Sequence, residues 1–170
     1  MPLYFFVKIF LIMKLFLTCI SILCFTSCYS QNNFEGIRLD TNFVFKTIDN
    51  KSIKIGNPGL NSFHVLFFCK SFNSISIDSI VRLKSLGKAV DIIIISENNN
   101  IIGIKDLEKF NILSLIDVNA YGKAFFKFKK LPSFIILGND YRILKFSDSV
   151  DDVIVNFNKY YFNYNNIMKK

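Results

Sequence analysis

The sequence predicts an α/β domain built on a mixed central β-sheet with an N-terminal β-hairpin. Residues 64–68 (HVLFF) and 91–96 (DIIIIS) are short apolar runs rich in aromatic and β-branched residues, which is typical of parallel strands covered on both faces. A segment with helical periodicity lies between them and indicates a right-handed strand–helix–strand crossover. Segments that end in tight turns predict antiparallel partners, so the sheet is mixed.

The hairpin is predicted from alternation around a turn. Residues 42–48 alternate between apolar and polar side chains, and residues 49–51 (DNK) have the chemistry of a turn. Ile53 and Ile55 continue the alternation on a returning strand. The loop composition of residues 56–59 (GNPG) separates the hairpin from the first apolar run.

Caps and spacing predict the elements that follow. Ser74 or Ser76 caps a helix whose apolar residues lie on one face, and Gly87 ends that helix. Residues 104–110 predict a second helix, and residues 112–116 predict a short strand.

The C-terminal third predicts a helix, a pair of strands and a closing helix. Residues 120–128 are helical in pattern, and strands at 131–137 and 141–146 flank a tight turn of sequence GND. Apolar residues at helical spacing then predict an amphipathic helix: Val150, Val153, Ile154, Phe157, Tyr160, Tyr161 and Tyr164.

The N-terminal segment has the pattern of a signal peptide. Residues 1–27 are apolar and contain two lysines and no acidic residue. Residues 25–28 (FTSC) resemble the lipobox of bacterial lipoproteins, in which the cysteine, here Cys28, is acylated and becomes the new N-terminus. The chain starts at Met1 or at Met13, which begins a second version of the pattern with an apolar stretch over residues 15–25. This stretch of about a dozen residues is short for a bilayer core of roughly 30 Å, whereas acyl chains anchor a soluble domain stably. The alternatives are an uncleaved transmembrane helix over residues 3–27 and plain secretion.

The predicted organisation is a lipoprotein signal peptide at 1–27, a lipidated N-terminus and tether at 28–42, and one domain at 43–165. Removal of 27 of the 170 residues leaves a chain of 143 residues whose net charge falls from +8 to +6. Two of the four cysteines leave with the peptide and Cys28 is lipidated, so Cys69 is the one remaining thiol. An intrachain disulfide is therefore excluded, and Cys69 is either inert or reactive towards another molecule.

The lysine surplus is interpreted as a solvated surface. The lysines are scattered, and the densest cluster, residues 127–130 (KFKK), is interleaved with phenylalanines. The alternative is contact with anionic lipid headgroups, which suits a tethered domain. No nucleic-acid-binding module is recognisable, so a nucleic-acid partner is not expected.

Neither a metal nor a cofactor is expected. A zinc site needs three or four ligands, whereas the predicted domain holds one histidine, His64, and one cysteine. Roughly 16 Å of extended strand separates His64 from Cys69, so they cannot form a nucleophile–base pair, and His64 is expected at the edge of its strand. Asp148, Asp151 and Asp152 are expected to favour the dipole of the last helix rather than to bind calcium.

Residues 42–161 resemble the thioredoxin-like fold, in particular the extracytoplasmic redoxins related to TlpA and ResA, which are often lipoproteins or membrane-tethered. The hairpin, the strand before the active-site helix and IIIIS (92–96) carry the resemblance, and above all residues 129–143 (KKLPSFIILGNDYRI) do. In that block Pro132 matches the family's cis-proline, which lies against the redox site. The resemblance implies a thioredoxin-like three-layer sandwich over residues 43–165.

The motif that performs the family's chemistry is missing. Family members carry W-C-x-x-C at the end of the strand and the first helical turn, where the helix N-terminus lowers the pKa of the first thiol and the second thiol resolves the mixed disulfide. The corresponding stretch here is FFCKSFNS (67–74). With Cys69 at the first position, Phe72 stands at the resolving position, and the spacing indicates that Cys69 lies one turn early and partly buried.

Three hypotheses of function follow. The favoured one is an envelope-anchored lipoprotein whose thioredoxin-like domain lacks the CxxC pair and binds or scaffolds a partner near Cys69 and Pro132, with the membrane held through Cys28. The alternative is a monothiol thiol–disulfide oxidoreductase or redoxin-like enzyme that uses Cys69. A third is a structural surface protein. All three place the domain in the bacterial cell envelope, outside the cytoplasm, and none calls for a cofactor.

Overall fold

A seven-stranded sheet forms the centre of the described part of the chain, and the apolar runs of the sequence supply its inner strands. The computed structural model describes residues 34–39, 43–55, 63–87, 90–98 and 107–168, with side chains up to residue 164 in the last helix. The strands are β1 (Val44–Thr47), β2 (Ser52–Lys54), β3 (Phe63–Cys69), β4 (Val90–Ser96), β5 (Leu113–Ile116), β6 (Ser133–Leu137) and β7 (Ile143–Ser147). They lie in the order β2-β1-β5-β4-β3-β6-β7.

The pairing of the strands confirms the predicted mixed sheet. β3 runs parallel to β4, and β4 runs parallel to β5, as the strand–helix–strand crossover requires. β1 and β2 form the predicted antiparallel hairpin, and β6 and β7 form the second antiparallel pair. β3 is bonded to β4 on one side and to β6 on the other, so it lies in the interior of the sheet.

The described residues include three α-helices: α1 (Ile77–Lys84), α2 (Tyr121–Phe125) and α3 (Val150–Met168). Of the two predicted caps of α1, Ser76 is the one used, because its Oγ accepts a hydrogen bond from the amide of Ser79 at 3.1 Å. α2 is shorter than the predicted helix at 120–128. Lys127 has a left-handed backbone with φ of 54°, a conformation through which a right-handed helix does not continue.

Helices cover both faces of the sheet and make three layers. Alternate residues of β3 point to opposite faces: Val65 and Phe67 belong to one core together with Phe157 of α3. Leu66 and Phe68 belong to the other core. α1 and α3 therefore cover one face and α2 covers the other, which confirms the three-layer arrangement that the resemblance implied.

His64 is the second residue of β3, so it lies near the start of its strand. Its side chain is buried, with 2% of its surface exposed. The imidazole stacks on the ring of Tyr141 at 5.2 Å, and its Nδ1 lies 3.6 Å from a carboxylate oxygen of Asp91. Burial lowers the pKa of His64, and the nearby Asp91 charge raises it by less.

Several predictions fall on residues that are not described. The signal peptide at 1–27, the lipidation site at Cys28, the loop at 56–59 and the start of the helix at 104–110 lie outside the described residues. No helix within the described ranges is long and apolar enough to cross a membrane. The described part of the predicted tether, residues 34–39, packs on the domain and forms a β-bridge from Arg38 to Arg142.

The buried imidazole makes folding stability sensitive to mild acid. The folded state keeps His64 neutral below the pH at which the unfolded chain takes up a proton, near 6.5. The stability that the neutral imidazole contributes to the folded state is therefore complete above pH 6.5 and is lost as the pH falls below that value. We expect the free energy of unfolding to fall by up to about 1.4 kcal/mol per pH unit in this range, relative to a His64→Phe variant.

Urea unfolding of both proteins at pH values from 7.5 down to 5 measures this difference. His64 is the one histidine of the chain, so no second imidazole titrates in the same range. Parallel stability profiles for the two proteins would show that the folded state protonates His64 as readily as the unfolded state does.

Candidate active site

A cleft of about 510 Å³ opens beside the carboxyl end of β3. α1, the start of α3 and the loop before β6 form its walls. Apolar side chains are contributed by Phe67, Pro132 and Phe134, and hydroxyl and charged groups come from the two helices. Both predicted site residues, Cys69 and Pro132, line this cleft, so the fold brings together two positions that lie 63 residues apart in the sequence.

Cys69 is the last residue of β3 and is held inside the sheet. It pairs with Ser96 of β4, its side chain is 2% exposed, and its Sγ donates a hydrogen bond to the carbonyl oxygen of Ile95 at 3.6 Å. Burial raises the pKa of the thiol to about 12; the charge of Glu97 adds to this increase, and hydrogen bonds from the surroundings oppose it. The thiol is thus protonated and shielded.

Among the described residues, no α-helix begins at Cys69. α1 begins at Ile77, after its cap at Ser76, and a single 3₁₀ turn at Phe72–Ser74 lies between it and the thiol. The electrostatic field that stabilises a thiolate decays within the first turn of a helix. Cys69 therefore lies before the helix, at the end of β3, and its thiol is more fully buried than expected.

The loop after Cys69 closes over the core. Phe72 is 2% exposed and packs in the same core as α1 and α3. Ser74 Oγ donates a hydrogen bond to the carbonyl oxygen of Ser71 at 2.6 Å, and Ser71 Oγ bonds the Asn73 side chain at 2.5 Å. Of the positions 70–73 expected around the cleft, Lys70 lines it, whereas the side chain of Phe72 is buried in the core.

The Leu131–Pro132 peptide bond is cis, as the resemblance implied. Ser133 Oγ donates to the carbonyl oxygen of Lys130 at 2.6 Å and fixes the loop that carries this bond. The first rung between β6 and β3 joins Ser133 to Phe68, so Leu131 lies beyond the ladder. None of the hydrogen bonds among the described residues uses the backbone amide or carbonyl of Leu131.

Ion pairs across the cleft were missed by the sequence analysis. Arg82 of α1 is paired with Asp151 at the start of α3, and Lys130 lies 2.7 Å from Asp148, a contact that lowers the pKa of Asp148. The dipole of α3 still favours Asp151 in its first turn. No local pattern joins residues 82 and 151, because their contact arises only when α1 and α3 pack on the same face.

A buried carboxylate, Asp117, lies at the same edge of the sheet. Asp117, 2% exposed, accepts hydrogen bonds from the amides of Gly122 at 2.8 Å and Lys123 at 3.0 Å, so it caps α2. Burial raises the pKa of Asp117, although those two amides lower it. No group of three or more potential metal ligands occurs among the residues that the structure describes.

Comparisons with known proteins identify the fold. No protein-family model matches the chain, and no curated protein sequence does. A secreted disulfide oxidoreductase of Mycobacterium tuberculosis is similar over 68% of this chain and 94% of its own, with 18% identity and a TM-score of 0.51. A peroxiredoxin-like protein of Aquifex aeolicus covers 74% of this chain and 86% of its own at 13% identity and a TM-score of 0.56.

A thioredoxin-like protein of Porphyromonas gingivalis gives a similar match, over 75% of this chain and 93% of its own, with 15% identity and a TM-score of 0.53. Together with the sheet order, these likenesses show that the chain has the thioredoxin-like fold. At such low identity they carry the fold and not the activity.

The raised pKa of Cys69 predicts a loss of stability in alkali. The folded state keeps the thiol protonated up to about pH 12, whereas the thiol of the unfolded chain has its ordinary pKa of 9.0. The stability that the protonated thiol contributes to the folded state is complete below pH 9 and is lost as the pH rises towards 12. Between pH 9 and 11 the free energy of unfolding should fall more steeply than in a Cys69→Ala variant, by about 1.4 kcal/mol per pH unit.

Tyrosines and lysines titrate in the same range but are common to both proteins, so the difference between the two urea-unfolding profiles isolates the thiol. A constant offset between the profiles would reflect lost packing alone and would contradict the raised pKa.

Proposed function

We propose that this chain is a cell-envelope lipoprotein, anchored through acyl chains on Cys28, whose thioredoxin-like domain binds a polypeptide partner in the cleft beside Pro132 without thiol chemistry. The observation that carries this proposal is that the cleft contains the cis-proline but no exposed thiol. The cleft and its cis-proline are present, while Cys69 is 2% exposed with a thiol pKa of about 12.

Thiol exchange at Cys69 is disfavoured on chemical grounds. The attacking species is the thiolate, which must reach a sulfur atom of the partner. A thiol of pKa about 12 is ionised to roughly one part in 10⁵ at pH 7, and the sheet shields it. Phe72 stands where a second cysteine would resolve the mixed disulfide, and its side chain is buried in the core.

The cleft offers what an extended polypeptide requires. The unused amide and carbonyl of Leu131 lie beyond the β6 ladder, where they can pair with the backbone of an added strand. Phe67 and Phe134 supply apolar contact, and Ser76 and Ser149 bring hydroxyl groups from the ends of two helices. The arrangement suits recognition of backbone and polar side chains.

The anchor is supported by the sequence of residues 1–28. The apolar segment, its lack of acidic residues and the lipobox-like FTSC favour acylation at Cys28. The fold is shared with a protein whose name describes it as secreted, which agrees with a domain outside the cytoplasm.

The monothiol alternative demands a structural change. Cys69 would have to leave its pairing with Ser96 and its hydrogen bond to Ile95 before the sulfur could meet a partner. Binding without thiol chemistry demands no such opening, so the present geometry favours it.

Site-specific photo-crosslinking in intact cells tests the binding role. A photoreactive phenylalanine analogue at Ser74, which lines the cleft, should give a discrete adduct of higher mass that resists reductant. Ser85 is the matched control outside the cleft: like Ser74, its Oγ donates to a carbonyl oxygen three residues earlier at 2.6 Å. The adduct at position 74 should persist in a Cys69→Ala background.

A disulfide adduct that requires Cys69 and is cleaved by reductant would favour the monothiol enzyme. Equal labelling from positions 74 and 85 would favour a structural surface protein with no dedicated cleft partner. Acylation at Cys28 is read separately from the intact mass of the purified protein.

A further inference from the structure

The chain enters the domain next to α2. Residues 34–39 run along β7, where the amide of Gly36 donates to the carbonyl oxygen of Ile143 at 2.7 Å and the amide of Leu39 donates to that of Tyr141 at 2.8 Å. The ring of Phe34 lies 5.7 Å from that of Phe125 on α2. Phe34, the first described residue of the predicted tether, is therefore in contact with this helix.

α2 presents aromatic rings to the outside at this place. Tyr121 is 58% exposed and Phe125 is 41% exposed, and both rings rest on Phe43, at 5.4 and 4.9 Å. We call Phe34, Tyr121 and Phe125 the aromatic surface. Its position is rigid, because a Cβ atom at Gly122 would lie 2.9 Å from the Phe68 ring, so α2 sits directly on the sheet.

Two uncompensated lysines follow the aromatic surface in the chain. Lys127 and Lys129 are exposed, and neither forms an ion pair with a described residue. Their neighbours differ in this respect: Lys123 is paired with Glu97 at 2.8 Å and Lys130 with Asp148 at 2.7 Å. Glu35, the acidic residue beside Phe34, is neutralised by Lys145 at 2.9 Å. The net local charge is positive.

We propose that the aromatic surface, together with Lys127 and Lys129, docks the domain on an anionic membrane. The proposal rests on the anchor at Cys28 that the proposed function assigns. Five residues lie between Cys28 and Phe34, and these six steps of chain can span no more than about 22 Å, so this side of the domain stays near the bilayer. Tyrosine and phenylalanine rings suit the headgroup region, and lysines are attracted to anionic lipid.

Docking in this way sets the orientation of the cleft. α2 covers one face of the sheet, while α1 and α3, which wall the cleft, cover the other. With the aromatic surface on the membrane, the Pro132 cleft faces away from the lipid and is open to partners. The two functions therefore occupy opposite layers of one domain.

Tryptophan fluorescence of the full chain reconstituted in vesicles tests the docking. The chain contains no tryptophan, so Phe125→Trp introduces a single reporter on the aromatic surface. Val155→Trp is the matched control, because Val155 is 67% exposed on α3 in the opposite layer. The vesicles contain brominated phosphatidylcholine, with or without phosphatidylglycerol, and bromine quenches tryptophan that reaches the lipid.

We expect quenching at position 125 in phosphatidylglycerol vesicles at low salt, weaker quenching at high salt, and none at position 155. Adding Lys127→Gln and Lys129→Gln to the Phe125→Trp chain should lower the ratio of docked to undocked protein about 25-fold, or about fivefold for each lysine. Equal quenching at both positions, or none at position 125, would overturn the proposal. A blue-shifted but unquenched tryptophan at position 125 would do so as well, since it would indicate a protein partner or a second copy.

The intact mass separates this test from the test of the anchor. An acylated chain that is unquenched at position 125 contradicts the docking and leaves the anchor in place. A chain without acyl groups contradicts the anchor, and salt-sensitive quenching that it still showed would support docking by the surface itself.

Discussion

The place of one thiol inside the central sheet decides what this domain can do. Cys69 ends β3, a strand hydrogen-bonded on both sides, and its pairing with Ser96 continues the parallel ladder to its last rung. Burial there holds the pKa of the thiol far above neutral pH. A redox site needs the opposite surroundings, namely an exposed sulfur at the positive end of a helix.

The rest of the cleft is formed around this buried thiol. The cis-proline loop, the capped start of α1 and the ion pair between Arg82 and Asp151 hold its walls in place. The side chain of Phe72 packs in the core and so holds the loop that follows Cys69 against the domain. The result is a shaped cleft in which the backbone groups of Leu131 make no hydrogen bond to another described residue and the thiol is buried, which is the arrangement that our proposal of binding without catalysis rests on.

The fold could be predicted from the sequence where a single strand or helix carries its own pattern. Alternation gave the hairpin of β1 and β2, and continuous apolar runs gave β3 and β4 as central strands. The cis bond at Pro132 came from resemblance to a known block of sequence. Contacts between residues that are distant in the sequence could not be predicted in this way. The Arg82–Asp151 ion pair and the stacking of His64 on Tyr141 depend on the packing of separate elements in the folded chain. The burial of Cys69 could not be predicted either, because it depends on the pairing of Cys69 with Ser96 of β4.

The most direct test of the account is the alkylation rate of Cys69 in the folded protein, measured residue by residue by mass spectrometry across pH and compared with the denatured chain. We expect Cys69 to react at neutral pH only after denaturation, and Cys69 in the folded protein to remain slow as the pH passes 9. Rapid alkylation of the folded protein, with an apparent pKa well below about 8.5, would contradict the account and would restore a working thiol to this cleft.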